Sequence, residues 1–275
     1  MIFNSLIIKI IVKIIKLILI IYLSLIVILF LNQRQLLYFP APNFPTEELV
    51  KLRELEYWVT QDNNYRGLVS RPPQDNVKGT IIVFHGNAGA AIERSYYSDA
   101  LVKLGYRVLL AEYPGYAGRK GKPSEEVLVD DARKTIQLIH QKYGNPLYVW
   151  GESLGSAVVA STVSDSRLFV DGIVLITPWD SLPNLAQSLY SFFPVKWLVL
   201  DRFDSVRNLK LFKGKVGILV AGKDEVIPAK LGKNLYKSLP NTHKKLWVLE
   251  QAGHNSWIEH INDSWWQEVI SFLVT

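Results

Sequence analysis

The sequence predicts an α/β fold: a mainly parallel sheet with helices on both faces, carried behind a single N-terminal transmembrane helix. Three observations predict it. The segment from Ile14 to Leu31 is almost wholly apolar and comes close to the length needed to cross a bilayer core, about 20 residues. After Pro45, β-branched apolar runs alternate with amphipathic helical stretches. Those runs are nearly continuous in their hydrophobicity, as strands buried on both faces require. With 275 residues, 49% of them hydrophobic, the chain can bury one large core.

Residues 1–37 are expected to be the anchor. No charge interrupts Leu17 to Leu31, and Lys9, Lys13 and Lys16 fall on one helical face by their spacing. Lys16 can snorkel from the end of the span. The run is long for a cleaved signal, and Asn32, Gln33 and Arg34 offer no small-residue cleavage site after it. The lysines before the span favour a cytoplasmic N-terminus, with the rest of the chain on the opposite side. A helix lying in the interface is the competing membrane arrangement. Residues 38–54 open with "YFPAPNFP", whose prolines predict an extended juxtamembrane linker.

The main domain is expected over 55–275. "LEYWVTQ" and "YRGLVSR" read as paired antiparallel strands, and "GTIIVFHG" as a buried strand. "AIERSYYSDALVKLG" reads as an amphipathic helix stopped by Gly105, and "YRVLLAEY" as the next strand. A Gly/Pro-rich loop, "PGYAGRKGKPS", leads to a helix with Ser124 as N-cap and acidic residues in its first turn. "PLYVWGE", "DGIVLIT", "VGILVAG" and "KLWVLEQ" complete the strands. The aromatic-rich excursion at 178–212 predicts either a lid over a pocket or a helix pair packed on the sheet.

Composition excludes several chemistries. There is no cysteine, hence no disulfide, thiolate metal site or cysteine nucleophile. The net charge of +6 is spread thinly, without the dense basic run of a nucleic-acid binder. His140, His243 and His260 fit no metal-ligand spacing, so no metal or other cofactor is expected.

In an open parallel sheet, ligands bind beyond the C-terminal ends of the strands. The residues there are His85-Gly86-Asn87, Glu152-Ser153-Leu154, Lys223-Asp224 and Ala252-Gly253-His254. Gly151-Glu152-Ser153-Leu154-Gly155 is a G-x-S-x-G motif between a strand and a helix, the context of a nucleophile elbow. Serine, aspartate and histidine follow one another in the chain order of the α/β-hydrolase fold. Ser153 is then the nucleophile, His254 the base and Asp224 the acid that orients it. The N–H groups of Asn87 and Leu154 would form the oxyanion hole. Asp180, which also follows a strand, competes for the acid role, as do Asp201 and Asp204. His85 competes for the base role, although its place before Gly86 suits loop shaping. Phe192, Phe193 and Trp197 of the excursion are expected to bind an acyl chain, with Leu189 and Leu198 beside them; facing the bilayer is the other use for such residues.

"FHGNAGA", "GYRVLLAEYPGYAG", "GESLGSAVV", "SLPNLAQSLYSFFPVKWL", "AGKDEVIP" and "AGHNSW" resemble the membrane-anchored α/β-hydrolase-domain proteins and their bacterial relatives over almost the whole chain. The resemblance implies an α/β-hydrolase fold with Ser153, Asp224 and His254 as triad. It also implies hydrolysis of acyl esters or thioesters, with lysophospholipids, monoacylglycerols and protein-bound palmitate as the substrates of that broad family. "YPGYAGRKGKPS" departs from the family's arginine-containing "YRGYG" loop, and the cysteine-rich N-terminus of the palmitate-removing members is absent. The expectation is a membrane-anchored serine hydrolase of lipid or acyl esters. A serine peptidase of the same fold and a non-catalytic membrane receptor on a hydrolase scaffold are the alternatives.

Overall fold

The computed structural model of the chain describes residues 2–60, 64–71, 76–240 and 243–275, with side chains from residue 7 onward. Met1 of the expected anchor and Gln61 of the first expected strand lie outside the described residues.

Ten strands form in chain order: β1 (Phe39–Pro40), β2 (Leu55–Val59), β3 (Tyr65–Ser70), β4 (Thr80–Phe84), β5 (Ala88–Gly89), β6 (Arg107–Ala111), β7 (Leu147–Glu152), β8 (Gly172–Ile176), β9 (Lys215–Ala221) and β10 (Lys244–Leu249). Eight of them make one sheet in the order β10-β9-β8-β7-β4-β6-β3-β2, while β1 and β5 form a separate parallel pair. Every pairing from β10 to β6 is parallel, and β3 pairs antiparallel with both β6 and β2. The chain moves outward from β4 to β6, then returns to lay β7 on the other side of β4. The crevice between β4 and β7 is therefore a topological switch point, where the loops after two adjacent strands diverge and leave room for a ligand. Asn87 follows one of those strands and Ser153 the other.

Alternating side chains divide the core into two layers. Leu147 and Val149 of β7 face the layer built with α4 (Glu125–Tyr143), α5 (Leu154–Thr162) and α9 (Ala229–Ser238). Tyr148 and Trp150 face the other, built with α3 (Ser95–Leu101) and α10 (Asp263–Val274). On that face Trp150 stacks on Trp266 at 5.9 Å between centroids and meets Tyr97 edge-on at 6.1 Å, bracing the strand that ends at Ser153. Ser124 caps α4 by accepting the Val127 N–H, as its position before two glutamates predicts.

The first helix, α1 (Ile2–Leu37), has 36 residues and would extend about 54 Å at the usual rise. It is long and apolar enough to cross a membrane. The segment expected as a linker, 38–54, is built into the domain. Tyr38 is buried, β1 pairs with β5 beside the site, and α2 (Glu47–Leu52) contributes Val50 to the core. The excursion after β8 carries three short helices, α6 (Leu182–Leu189), α7 (Val195–Leu198) and α8 (Ser205–Asn208).

Candidate active site

Ser153 sits at the junction of β7 and α5 with φ 53° and ψ −114°, a strained backbone that costs of order 1–3 kcal/mol and turns the side chain out of the sheet edge. The flanking glycines make the turn possible. A Cβ on Gly151 would run into the Gly155 carbonyl, and one on Gly155 into the carbonyls of Phe84 and His85. The helix must pass this close to β4 for the serine to stand over the switch point.

His254 Nε2 lies 3.0 Å from Ser153 Oγ, and His254 Nδ1 lies 2.8 Å from Asp224 Oδ2. A carboxylate only accepts, so the imidazole proton belongs on Nδ1 and Nε2 is left to accept from the serine hydroxyl. The Asp224 side chain is 2% exposed and that of His254 8%. Asp224 Oδ1 accepts the N–H groups of Val226 (2.9 Å) and Ile227 (2.6 Å), so the acid is itself held by backbone. Glu225 accepts the His254 N–H at 3.0 Å, and this bond holds the Glu225 carboxyl below the ordinary glutamate range. Sequence reasoning did not single out Glu225, because one exposed acid next to another carries no signal of its own.

The other acids have different partners. Asp180 accepts from Ser181 N and Asn184 Nδ2 at the start of α6. Asp201 accepts from Arg34 and Tyr38, and Asp204 caps α8 through Arg207 N. His85 is buried between the Gly86 carbonyl and Glu112, 2.8 and 2.9 Å away.

Asn87 and Ser153 line the same cavity, of about 290 Å³. The Asn87 N–H makes no hydrogen bond among the described residues. The Leu154 N–H, first in α5, is one of the donors that a helix leaves unpaired. Trp179, Leu182, Leu185, Leu189, Val195 and Val199 of the excursion supply apolar wall. Leu29, Leu36 and Leu37 of α1 close the other side, with Gln33 and Arg34. A larger open groove of about 1130 Å³, lined by Trp58, Arg66 and Arg119 among others, contains none of the site residues.

Phe192, Phe193 and Trp197 are a correction. None of them lines the cavity beside Ser153. Phe192 is 89% exposed, Trp197 79%, and Phe193 stacks on Tyr22 of α1 at 5.4 Å. The short helices turn Leu185 into the cavity and leave Leu189, one helical turn on, at its rim, with Val195 and Val199 repeating that spacing. Phe192 and Trp197 between them are thereby left on the outer side, while Phe193 packs on α1. The contribution of α1 to the cavity was also missed. In an apolar helix no hydrophobic period marks the packed face, although Tyr22, Gln33 and Arg34 are the polar residues that now make its contacts.

A strand-elbow-helix serine bonded to a histidine–aspartate pair, on a sheet of this order, defines an α/β hydrolase. Comparison with known proteins agrees. The profile of the serine aminopeptidase S33 family matches residues 75–203. An uncharacterised protein of Mycobacterium tuberculosis is 32% identical over 230 residues, covering 82% of this chain and 81% of its own. The lysophosphatidylserine lipase ABHD12 of Danio rerio is 35% identical over 189 residues, 60% of this chain and 49% of that lipase, so the chain spans about half of the latter. In fold, an esterase of Pyrococcus furiosus superposes with a TM-score of 0.66 at 20% identity, over 86% of this chain and 96% of the esterase. The chain belongs to the α/β-hydrolase-domain family that includes the ABHD12 lipases and bacterial relatives.

Proposed function

We propose that this protein is a membrane-anchored serine hydrolase that cleaves carboxylic esters of lipid-like acyl chains through an acyl-enzyme. The observation that carries the reading is the bond path from Ser153 Oγ through His254 to Asp224 at the wall of an apolar cavity. Ser153 Oγ attacks the ester carbonyl carbon as its proton passes to His254 Nε2, and Asp224 stabilises the imidazolium that forms. The carbonyl oxygen, now an oxyanion, is met by the N–H groups of Asn87 and Leu154. Collapse of the tetrahedral species breaks the bond to the alcohol, which leaves with the proton from His254. Water, deprotonated by the same histidine, then attacks the acyl-enzyme and releases the acid. The apolar wall holds the acyl chain, and lipase relatives make a single-chain lipid ester the leading substrate class.

The anchor is α1, with the lysine-bearing N-terminus cytoplasmic and the catalytic domain on the opposite side. The family description raises the peptidase alternative. Recognition of a substrate amine needs a free carboxylate in the cavity, and Asp201, the acid among the lining residues, is taken by Arg34 and Tyr38. A panel of p-nitrophenyl acyl esters and aminoacyl p-nitroanilides tests the reading. Hydrolysis of the esters, lost in Ser153→Ala with an unchanged circular dichroism spectrum, is expected. Turnover of the anilides alone would favour the peptidase.

A further inference from the structure

The C-terminal part of α1, from Tyr22 on, is packed against the excursion and, at Leu37, against the loop after β4. Tyr22, Ile26, Leu29, Gln33 and Leu37 are all half-buried, while Leu31 is 72% exposed and Ile28 is exposed too. Their spacing of three and four residues makes one helical stripe. Tyr22 stacks on Phe193 and donates to the Phe192 carbonyl at 3.1 Å. Gln33 Oε1 accepts the Leu200 N–H at 2.8 Å, Arg34 meets Asp201 at 3.3 Å, and the Leu37 carbonyl accepts from Asn87. From Tyr22 to Leu37 this contact runs for about 22 Å of helix.

That length conflicts with a catalytic domain standing wholly outside the bilayer. Were everything from Tyr22 onward in water, the hydrocarbon would hold only the helix before it. A crossing of about 20 residues would then draw Lys9, Lys13 and Lys16 into the core. Keeping the charge-free run Leu17–Leu31 in hydrocarbon leaves the lysines at one surface and Arg34 at the other. It also carries into the membrane whatever is packed on Tyr22 to Leu31, which is the excursion. The excursion is made for that place. Phe192 and Trp197 are almost fully exposed, Leu189 and Leu200 are 55% exposed, and Lys196 is the one charged residue between Phe192 and Leu200. A single lysine can snorkel to the headgroups. The rim of the cavity is apolar as well, with Leu36, Phe39, Leu189 and Tyr190 all exposed.

We propose that the excursion from Leu189 to Leu200 is sunk in the lipid leaflet beside α1, and that the cavity between them opens to the hydrocarbon. An acyl chain then passes sideways from the leaflet to Ser153, with Leu29 of the anchor as part of its binding wall. This deepens the reading of Ser153 as nucleophile and rests on it only for what happens at the end of the cavity.

The chain has no cysteine, so single labels can be introduced cleanly. Phe192→Cys, Trp197→Cys and Phe169→Cys, each carrying bimane, are compared in full-length protein in phosphatidylcholine vesicles, with and without nitroxide on the lipid acyl chains. Phe169 is 63% exposed but stacks on His140, away from α1. The labels at 192 and 197 should shift to the blue and lose emission to the nitroxide lipids, and the label at 169 should do neither. Water-like, unquenched emission at 192 and 197, or equal quenching at 169, would overturn the proposal. For the cavity, a lysophosphatidylcholine with a diazirine in its acyl chain is photolysed in vesicles holding Ser153→Ala. The adduct should fall on residues 182–189, where Leu185 is buried, be lost on adding Leu29→Trp and survive Leu31→Trp. No adduct there, or one indifferent to Leu29→Trp, contradicts lateral access. Neither readout uses turnover, so a failure of the hydrolase reading remains distinguishable.

Discussion

Leu37 and Asn87 are joined by a 2.8 Å hydrogen bond, the Asn87 side-chain amide donating to the Leu37 carbonyl at the end of α1. Two residues on, the Phe39 N–H donates to the Asn87 carbonyl at 2.9 Å, and the Tyr116 hydroxyl donates to it at 2.8 Å. The loop whose N–H is proposed to meet the oxyanion is thus held by the end of α1.

Asn87→Ala keeps the backbone donor and removes only the side-chain tether. One net hydrogen bond is worth about 0.5–1.5 kcal/mol, so turnover should fall by roughly 2- to 12-fold with KM little changed. Steady-state kinetics on a medium-chain ester measures this. An unchanged kcat would remove Asn87 from any positioning role.

Asp224→Asn should lower turnover by roughly 10⁴-fold, because an amide in place of the carboxylate favours the wrong histidine tautomer. Asp180→Asn should leave turnover within a few-fold and act through stability, since its partners lie at the start of α6. Paired kinetics and thermal melts separate the two. A larger kinetic loss in Asp180→Asn would reverse the assignment of the acid.

Glu225 gives a pH dependence with a definite sign. The fold favours its ionised form, because the carboxylate accepts the His254 N–H, so its folded pKa lies below the unfolded one. The stability it contributes is present above the ordinary glutamate range and is lost as pH falls through the depressed folded value. Melting temperatures followed from about pH 6 to about pH 3 should fall more steeply for wild type than for Glu225→Gln. Parallel curves would show that the bond contributes nothing.

The cavity should be read by acyl length. Each methylene leaving water for the apolar wall is worth about 0.8 kcal/mol, roughly fourfold in kcat/KM, until the cavity is filled. Leu185→Trp, which narrows the wall from within the excursion, should move the cut-off to shorter chains. A profile flat from acetate upward in both proteins would leave a small-ester hydrolase in place of a lipid one.

Much of the fold and of the site is legible in the sequence. Near-continuous β-branched runs can only be strands covered on both faces, and the sheet has eight where the sequence placed them. The glycines around Ser153 announce a backbone that other residues resist, and strand-end positions gathered Asn87, Ser153, Asp224 and His254 at one edge. Between Asp224 and Asp180 the sequence favours Asp224 by its place after the penultimate strand, and the direction of each loop then separates two acids that both follow strands. The wall of the cavity was misread for a related reason. Aromatic content drew attention to Phe192, Phe193 and Trp197, whereas the fold uses leucines and valines one helical turn apart. The part played by α1 left almost no trace, since a helix apolar on every side does not reveal which side is packed.

The central claim is that Ser153, activated by His254, attacks the acyl carbon. A fluorophosphonate probe captures such a serine covalently, and peptide mass spectrometry of the full-length protein locates the adduct. One adduct on Ser153, absent in Ser153→Ala and strongly slowed in His254→Ala, is the predicted result. An adduct on another serine, or equal labelling in Ser153→Ala, would contradict it.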